Sequence, residues 1–525
     1  MSPPSQLGGG GDTRAALRAE WTKLRTVRGW MVGLVFASLM IVLFTYVQAS
    51  GKQTGYCTTP NPDSCVNGHQ FVPTGPDGEA VADSYELVTK PLTGAGTITG
   101  RITSLAGRVS DGPANQAPSL ANTRPGLTSW AKAGLLITPS TSQGSAYAAV
   151  MATGGHGIRF QDDYTNDQAG LPGPLSSTTP RWLRLTRAGD TITGYDSSDG
   201  TNWHQVGSTD LAGLPRTVYV GLFATSPMTS GGSATQATAS FDHLAVGGLT
   251  AAVGQAVAGP WRGTSIGTGP RDYYTTLGHG DYRQSGDSIL VTGSGDIAPA
   301  VATAGGDTAA DPLLFGLVVA LITLIVIATM FTTSEYRRGL IRTTFAATPA
   351  RGDVLAAKAV VIGGVAFVVG AVAAAVAIPI GEHVMTLGGN YIFPADSLTV
   401  AQVIVGSGAL VALTAIAALG IGTILRRSAG AILVGVLVFV LPTFTGPGVL
   451  GPTSAGTLAT WLYRVTPAAG FSVLGLLPRS GLVSYPYTMA NGYYPLAPWA
   501  GFLVLAAYAA VPLFAAWVVL QRRDA

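Results

Sequence analysis

Charge is scarce in this 525-residue chain: Asp, Glu, Lys and Arg together make up 11% of it. Ordinary soluble domains carry about 25%. The 30 basic and 27 acidic residues leave a net charge of only +3. That balance offers no basic surplus for a phosphate backbone, so nucleic acid is excluded as a partner. Cysteine is nearly absent. Cys57 and Cys65 are the only two, and with only His69 beside them they make a poor zinc set. A P-loop is missing as well. The one Gly-Lys pair, Gly51-Lys52-Gln53, lacks the Ser or Thr hydroxyl that follows it in nucleotide-binding loops. No short apolar region followed by a small-residue cleavage site opens the chain.

Long apolar runs are what the chain has instead, with a mean hydropathy of +0.36. Six stretches are expected to span a bilayer: Trp30–Val47, Leu313–Phe331, Ala359–Ile380, Val400–Leu425, Ala429–Leu441 (extending toward Leu450) and Pro498–Leu520. Pro442, Pro447 and Pro452 crowd the end of the fifth. Pro467–Leu477 is apolar but too short to span, and reads as a re-entrant or interfacial piece.

Basic residues fix the expected orientation. Arg14, Arg18, Lys23, Arg25 and Arg28 precede the first span; Arg337, Arg338, Arg342, Arg351 and Lys358 follow the second; Arg426–Arg427 and Arg522–Arg523 flank later ones. Segment 381–399 holds no Lys or Arg. Both termini are therefore expected in the cytoplasm and residues 49–311 outside. On that side Cys57 and Cys65 are candidates for a disulfide. Ahead of the first span, Leu17, Trp21 and Leu24 recur at helical spacing, with Arg14, Arg18 and Arg25 on another face. That is a basic amphipathic helix suited to lipid phosphates, so membrane lipids are expected partners. The spans carry essentially no ionisable residues, which argues against an ion-coupled carrier. Gly363-Gly364 and the Ala/Gly runs in 368–377 and 414–422 suit close helix packing.

Residues 49–95 are rich in Gly, Pro and Thr and read as a linker with first strands. Beyond them come short alternating segments: Thr97–Leu105, Ala133–Thr138, Tyr147–Ala152, Arg181–Arg187, Thr191–Ser197, Trp203–Ser208, Val218–Thr225 and Thr238–Val246. Leu183 and Leu185 face one way within Arg181–Arg187, as in a half-buried antiparallel strand. Asp199-Gly200 supplies a hairpin turn. Many short strands with turns between them predict a β-sandwich over 96–247, with a start near 80 also open. A smaller β patch at 248–310 reads as a membrane-proximal stalk.

Two resemblances appear at these residues. Lys132-Ala-Gly-Leu-Leu-Ile137, Arg181–Arg187, Gly194–Trp203 and Val218–Leu222 resemble the concanavalin A-like (laminin-G-like) jelly roll appended to some glycoside hydrolases. That fold often binds carbohydrate, which makes an extracellular glycan a partner and Trp130, Tyr195 and Trp203 candidate glycan contacts. The Glu-x-Asp-x-x-Glu arrangement of its catalytic relatives is absent. The outer segment has only two Glu, Glu79 and Glu86, while glycoside hydrolysis needs two carboxylates flanking the bond. Asp196, Asp199 and Asn202 fail the EF-hand spacing and are better explained by a turn.

The second resemblance is to ABC-2-type transporter permeases of the actinobacterial sort. It rests on Ser334-Glu-Tyr-Arg-Arg-Gly-Leu-Ile-Arg-Thr-Thr344 with Ala347-Thr-Pro-Ala-Arg-Gly352, and on Ala19-Glu-Trp-Thr-Lys-Leu-Arg25. It implies an α-helical polytopic domain (residues 1–29 as connector, 30–48 as first span, 311–525 as the rest) with the β-sandwich inserted. It also implies a cytoplasmic ATPase subunit carrying the ATP and Mg that this chain does not bind, and a homodimer or paired permease. Glu20, Trp21, Lys23, Arg25, Glu335, Tyr336, Arg337, Arg338 and Arg342 are the candidate ATPase-docking residues. The insert departs from ordinary members, whose first two spans are joined by a short loop. An outer domain there also occurs in permeases that transmit motion across the membrane, and those usually have four spans. A membrane-tethered carbohydrate-binding or sensory protein is the reading from another class.

Overall fold

The fold is that of a computed structural model, which describes residues 9–51, 65–66, 69–70, 73–111, 120–173, 175, 178–229, 233–248, 259–267, 277, 280–300, 306–307, 310–337, 339–341, 343, 350–445, 461–476, 480–483 and 494–522. The chain divides into two compact units, one of helices (1–54, 307–478 and 487–525) and one of strands (55–306 and 479–486).

In the helical unit, α1 covers Gly9–Thr26, α2 Arg28–Gly51, α3 Ala310–Arg337, α4 Arg351–Leu387, α5 Ser397–Leu425, α6 Ser428–Phe439 and α7 Pro498–Arg522. Five of these, α2, α3, α4, α5 and α7, are long and apolar enough to cross a membrane. At 24 residues α2 is the shortest of them, and at 1.5 Å per residue it still reaches about 36 Å, more than the hydrocarbon core. The chain is a membrane protein on that ground. The expected fifth span coincides with α6, a 12-residue apolar helix continued by a 3₁₀ turn at Leu441–Thr445; residues 446–460 lie outside the described residues. The short apolar piece forms a 3₁₀ stretch, Pro467–Leu474, with every residue buried.

Glycine lets these helices approach closely. A Cβ on Gly420 of α5 would meet the Pro512 backbone of α7 at 2.7 Å. One on Gly316 of α3 would lie 2.5 Å from the Ile41 carbonyl oxygen of α2. On Gly370 of α4 it would meet the Gly408 Cα of α5 at 3.0 Å. Side-chain-free patches of this kind give helices in lipid the van der Waals contact that replaces the hydrophobic drive. A single core then runs through α2 to α7, including Ile41, Leu317, Ile362, Ala415 and Leu505.

The strand unit contains two large antiparallel sheets. The first runs, in spatial order, Asn166–Ala169, Ile158–Asp162, Ala148–Thr153, Lys132–Thr138, Thr217–Thr225, Tyr85–Thr93 and Arg262–Ile266. The second runs His204–Asp210, Thr191–Ser197, Arg181–Ala188, Gly96–Ser110, Thr235–Gly248, Ser288–Gly293 and Asp281–Ser285, with Thr123–Pro125 also paired to Gly96–Ser110. One core joins them face to face: Leu135, Val150, Phe160 and Leu222 from the first meet Ile98, Leu183, Leu185 and Phe241 from the second. The eight anticipated strands are all present.

One boundary falls within the sequence expectation of a start near 80, and one differs from it. The sandwich begins by Tyr85, and the stretch read as a stalk supplies edge strands to both sheets. Arg262–Ile266 pairs with Tyr85–Thr93, and Ser288–Gly293 pairs with Thr235–Gly248. The cause is burial: Ile289 and Val291 complete the shared core. Ile158–Asp162 and Asn166–Ala169 are strands that the sequence did not announce. Behind the first sheet lies a second apolar cluster of Tyr85, Leu136, Tyr147, Met151, Tyr164 and Phe223, so that sheet is buried on both faces and Lys132–Thr138 has no exposed residue.

Gly420→Ala is expected to force α5 and α7 apart and destabilise the helical unit by about 1–3 kcal/mol, the usual range for overpacking. Gly364→Ala, whose Cβ has nothing within 4 Å, is expected to be neutral or slightly stabilising. Unfolding of both variants in a mixed-micelle denaturant titration, followed by circular dichroism, checks the contrast.

Candidate functional site

Helix α1 is an amphipathic segment whose inner stripe is Ala16, Glu20 and Leu24, at i, i+4 and i+8. The expected stripe was Leu17, Trp21 and Leu24. Leu24 is inside, Leu17 is half-buried, and Trp21 is 46% exposed. The difference comes from a charge. Glu20, only 2% exposed, is turned toward Lys358 of α4, and the helix rotates to follow it.

Four side chains close this site. The Lys358 ammonium donates to Glu20 Oε2 at 2.7 Å and to Glu335 Oε1 at 2.8 Å. The Lys23 ammonium donates to Glu20 Oε1 at 2.7 Å and to Glu335 Oε1 at 3.1 Å. Lys358 also stands 4.7 Å from the centre of the Phe331 ring, a favourable cation–π approach. Burial works to lower the Lys23 pKa, but the hydrogen bonds and charges of Glu20 and Glu335 outweigh it and raise the group above its usual value. Lys358 is 2% exposed, so its charge is tolerable only because two carboxylates share it. The arrangement is two-by-two: α1 contributes Glu20 and Lys23, α3 contributes Glu335, and α4 contributes Lys358. It binds the amphipathic helix to the ends of two membrane helices.

Of the nine candidate docking residues, Glu20 and Glu335 are therefore buried in an intrachain network. Trp21 and Arg25 are exposed, Lys23 is partly so, and Arg337 projects at the end of α3. Tyr336 is half-buried, with the Arg426 guanidinium 4.9 Å from its ring centre. Arg338 and Arg342 lie outside the described residues. Lys358 closes the basic segment 334–358 of the sequence analysis but is not among the nine docking candidates. Its signal was rarity: the whole chain has five Lys and five Glu, and two of each meet here.

The strand unit repeats the device. Lys132, fully buried, donates to Asp296 at 3.0 Å and to the Ile297 carbonyl. Its ammonium is 5.6 Å from the Trp130 ring. Trp130 is itself 5% exposed and stacked on His156 at 3.9 Å, so this candidate glycan contact is a core residue. Burial of its ring against Ala298 and Leu482 explains why. Tyr195 and Trp203 remain half-buried. Tyr195 is registered opposite Arg184, whose guanidinium lies 3.8 Å from the Trp203 ring centre. In the neighbouring row, Trp182 meets Arg101 at 5.6 Å, and Arg101 is held by Asp242 at 2.7 and 2.6 Å. Trp182, Tyr195 and Trp203, interleaved with Arg101 and Arg184, line the outward face of the second sheet. Asp199 is occupied by its own turn, accepting from the Thr201 and Asn202 N–H groups at 2.8 Å each. These bonds hold its carboxyl well below the usual range. Cys57 lies outside the described residues, and Cys65 belongs to the short strand Cys65–Val66.

Behind the first sheet, burial raises Asp83 to about 7 against the N–H of Gly144, which its carboxylate accepts at 2.8 Å. Burial likewise raises Asp163 to about 6. A carboxyl whose pKa is higher folded than unfolded holds an extra proton in the native state, so its contribution to stability is lost as pH rises through the folded value. The strand unit of the intact protein is expected to lose thermal stability between about pH 4 and pH 7 from these groups, and Asp83→Asn to flatten that slope, as read by melting curves across the range. In the helical unit, Lys358→Met is expected to leave two buried carboxylates short of a cation and to destabilise by about 3–5 kcal/mol. Trypsin cleavage after Lys23 and Arg25 should then speed up as α1 detaches.

No family model matches the chain, and no curated protein matches it. Among solved structures, a functionally unknown protein from Saccharomyces cerevisiae is 15% identical over 31% of this chain and 74% of that one, with a TM-score of 0.18. Scytalido-glutamic peptidase with a transition state analog inhibitor is 11% identical over 40% of this chain and 98% of its own, with a TM-score of 0.25. The GH43 BlXynB protein from Bacillus licheniformis is 16% identical over 25% of this chain and 24% of its own, at a TM-score of 0.18.

Proposed function

We propose that this chain is the membrane-spanning subunit of an ABC exporter of the ABC-2 permease kind, located in a bacterial plasma membrane. A separate cytoplasmic ATPase binds and hydrolyses ATP with Mg, and two permease halves, identical or paired, enclose the path of an amphiphilic, lipid-linked or drug-like substrate. The observation that carries this reading is the four-residue network of Glu20, Lys23, Glu335 and Lys358. A helix lying at the membrane surface transmits force only if it is fastened to the spans. Here α1 is fastened to α3 and α4 by charges that cannot separate without leaving an unpaired ion in the interior. The exposed residues of α1, Trp21 and Arg25, with Arg337 of α3, then offer the ATPase a handle. The basic loop after α3 lies in the segment that resembles the permease family.

Six spans, with the strand unit outside as a jelly roll, complete the proposal. Parity supports the sixth. Leu482, in the segment between α6 and α7, itself belongs to the strand unit, where it packs on Trp130 and Ala298, so the chain has to return to that unit's side of the membrane after α5. Helices α3, α4 and α5 make three crossings, which would separate Leu482 from that unit; a fourth through α6 and the residues after it brings them together. The second reading, a tethered glycan-binding or sensory protein, is favoured by the aromatic and arginine face of the second sheet. In the transporter that face receives glycan or cargo, and a permease transmitting motion to it without substrate passage uses the same latch.

Affinity purification of the tagged protein from its native host in mild detergent, after cross-linking, tests the proposal. An ATPase with a Walker A motif is expected to co-purify, and Trp21→Ala/Arg25→Glu is expected to lose it without loss of folding. Absence of any ATPase with the wild type would sink the transporter reading and leave the glycan-binding one. A glycan array probed with the whole protein tests the latter separately, through Trp203→Ala.

A further inference from the structure

The ends of α3 and α5 and the start of α6 border a half-open cavity of about 800 Å³, lined in part by Met330, Tyr336, Arg337, Arg426, Arg427 and Ser428. Its charge is one-sided. Three arginines line it, and no carboxylate does. Among the described residues none of the three has an ion-pair partner. The nearest acid in sequence, Glu335, is engaged by Lys23 and Lys358. Because that network is formally neutral by itself, it leaves the arginines uncompensated.

Two further observations point the same way. The Nε of Arg426 is buried without a hydrogen-bond partner among the described residues, and a guanidinium N–H left unpaired out of water is costly. The residue is also held in the left-handed region at φ 55°, which turns the chain sharply between α5 and α6. Helix α6 then begins without a side-chain cap, because its N-cap position is Arg427, which has donors only. The first turn of the helix therefore has no side-chain acceptor for its N–H groups, and its Ser428 and Ala429 line the cavity, with the positive end of the helix dipole behind them. The lining thus brings guanidinium groups, an uncapped helix start and the Ser428 hydroxyl to one cavity that has no carboxylate in its wall. Met330, 38% exposed, lies about two turns before Arg337 on α3, so the same cavity has an apolar side.

We propose that this cavity binds the phosphate of an anionic lipid head group, with Arg426, Arg427 and the α6 N-terminus holding the phosphate oxygens and Met330 lying beside the chain. Planar guanidinium forks and helix starts both suit the oxygens of a phosphate. A cavity of this size at the end of membrane helices favours a lipid as its source. The inference stands whether or not the chain works with an ATPase.

The test uses the full-length protein, delipidated in a neutral detergent, with phosphatidylglycerol or phosphatidylcholine added and retention read by native mass spectrometry. Phosphatidylglycerol is expected to be retained over phosphatidylcholine, and Arg426→Gln/Arg427→Gln to weaken it about tenfold or more, the scale of one or two lost charge-assisted bonds. Arg283→Gln, exposed on the strand unit, should leave it unchanged. Ser428→Asp separates binding from folding, because a carboxylate at a helix start stabilises the helix while occupying the phosphate position. Its melting temperature is expected to hold or rise while lipid retention falls. Equal retention of the two lipids, or retention unmoved in both arginine and Ser428 variants, overturns the proposal. If inorganic phosphate binds with the same variant dependence and phosphatidylglycerol does not, the phosphate site stands and its lipid source is overturned.

Discussion

An ammonium group with 2% of its surface exposed must be neutralised where it sits, and Lys358 is neutralised from two directions, by Glu20 and Glu335. Much of the helical unit follows from that requirement. Replacing such a cluster with apolar side chains of equal volume would often be neutral or stabilising, so its worth lies in register more than in stability. An amphipathic helix on a bilayer surface is otherwise free to slide and roll, because lipid offers no unique contact. Glu20 removes both freedoms, fixing which face of α1 looks inward and which turn of α4 it meets. The cluster also spends the acidic groups near the end of α3, and the arginines around the α5–α6 turn keep their full charge as a result.

The same solution occurs in the strand unit. Lys132 is buried, paired with Asp296 and placed beside Trp130, as Lys358 is paired with glutamates and placed beside Phe331. In both, a long apolar stem crosses the core and its charged end is met by a carboxylate and the negative face of a ring. Lys132 lies on a strand buried on both faces. Two unrelated architectures thus place a cation inside by equivalent means.

The sequence was legible where one periodicity dominated. The spans declared themselves by length, and the central strands by alternation, as in Leu183 and Leu185. It failed where a polar residue was buried or a strand was an edge. Glu20 broke the apolar stripe of α1, so Trp21 was placed inside when it is outside. Arg262–Ile266 and Asp281–Ser285 are edge strands with mostly exposed side chains. Their pattern carries little sign of the sheets they extend, and they read as a separate stalk. Trp130 shows a third limit: an aromatic ring reads equally well as a binding platform or as core, and only the stacked His156 and the neighbours Ala298 and Leu482 decide. The pairing of Lys23 and Glu335 spans 312 positions in the chain, a separation that no local pattern encodes.

The α1 latch has a formal charge of zero, with two lysines and two glutamates. A membrane potential of 100 mV does about 2.3 kcal/mol of work on one elementary charge carried across the bilayer, and none on a rigid cluster whose charges cancel. The latch therefore adds no net charge on which the field could pull. What the field can act on at this end of the helices is the arginines outside the cluster, Arg25 of α1 and Arg337 of α3 among them, so fastening and charge are assigned to different residues.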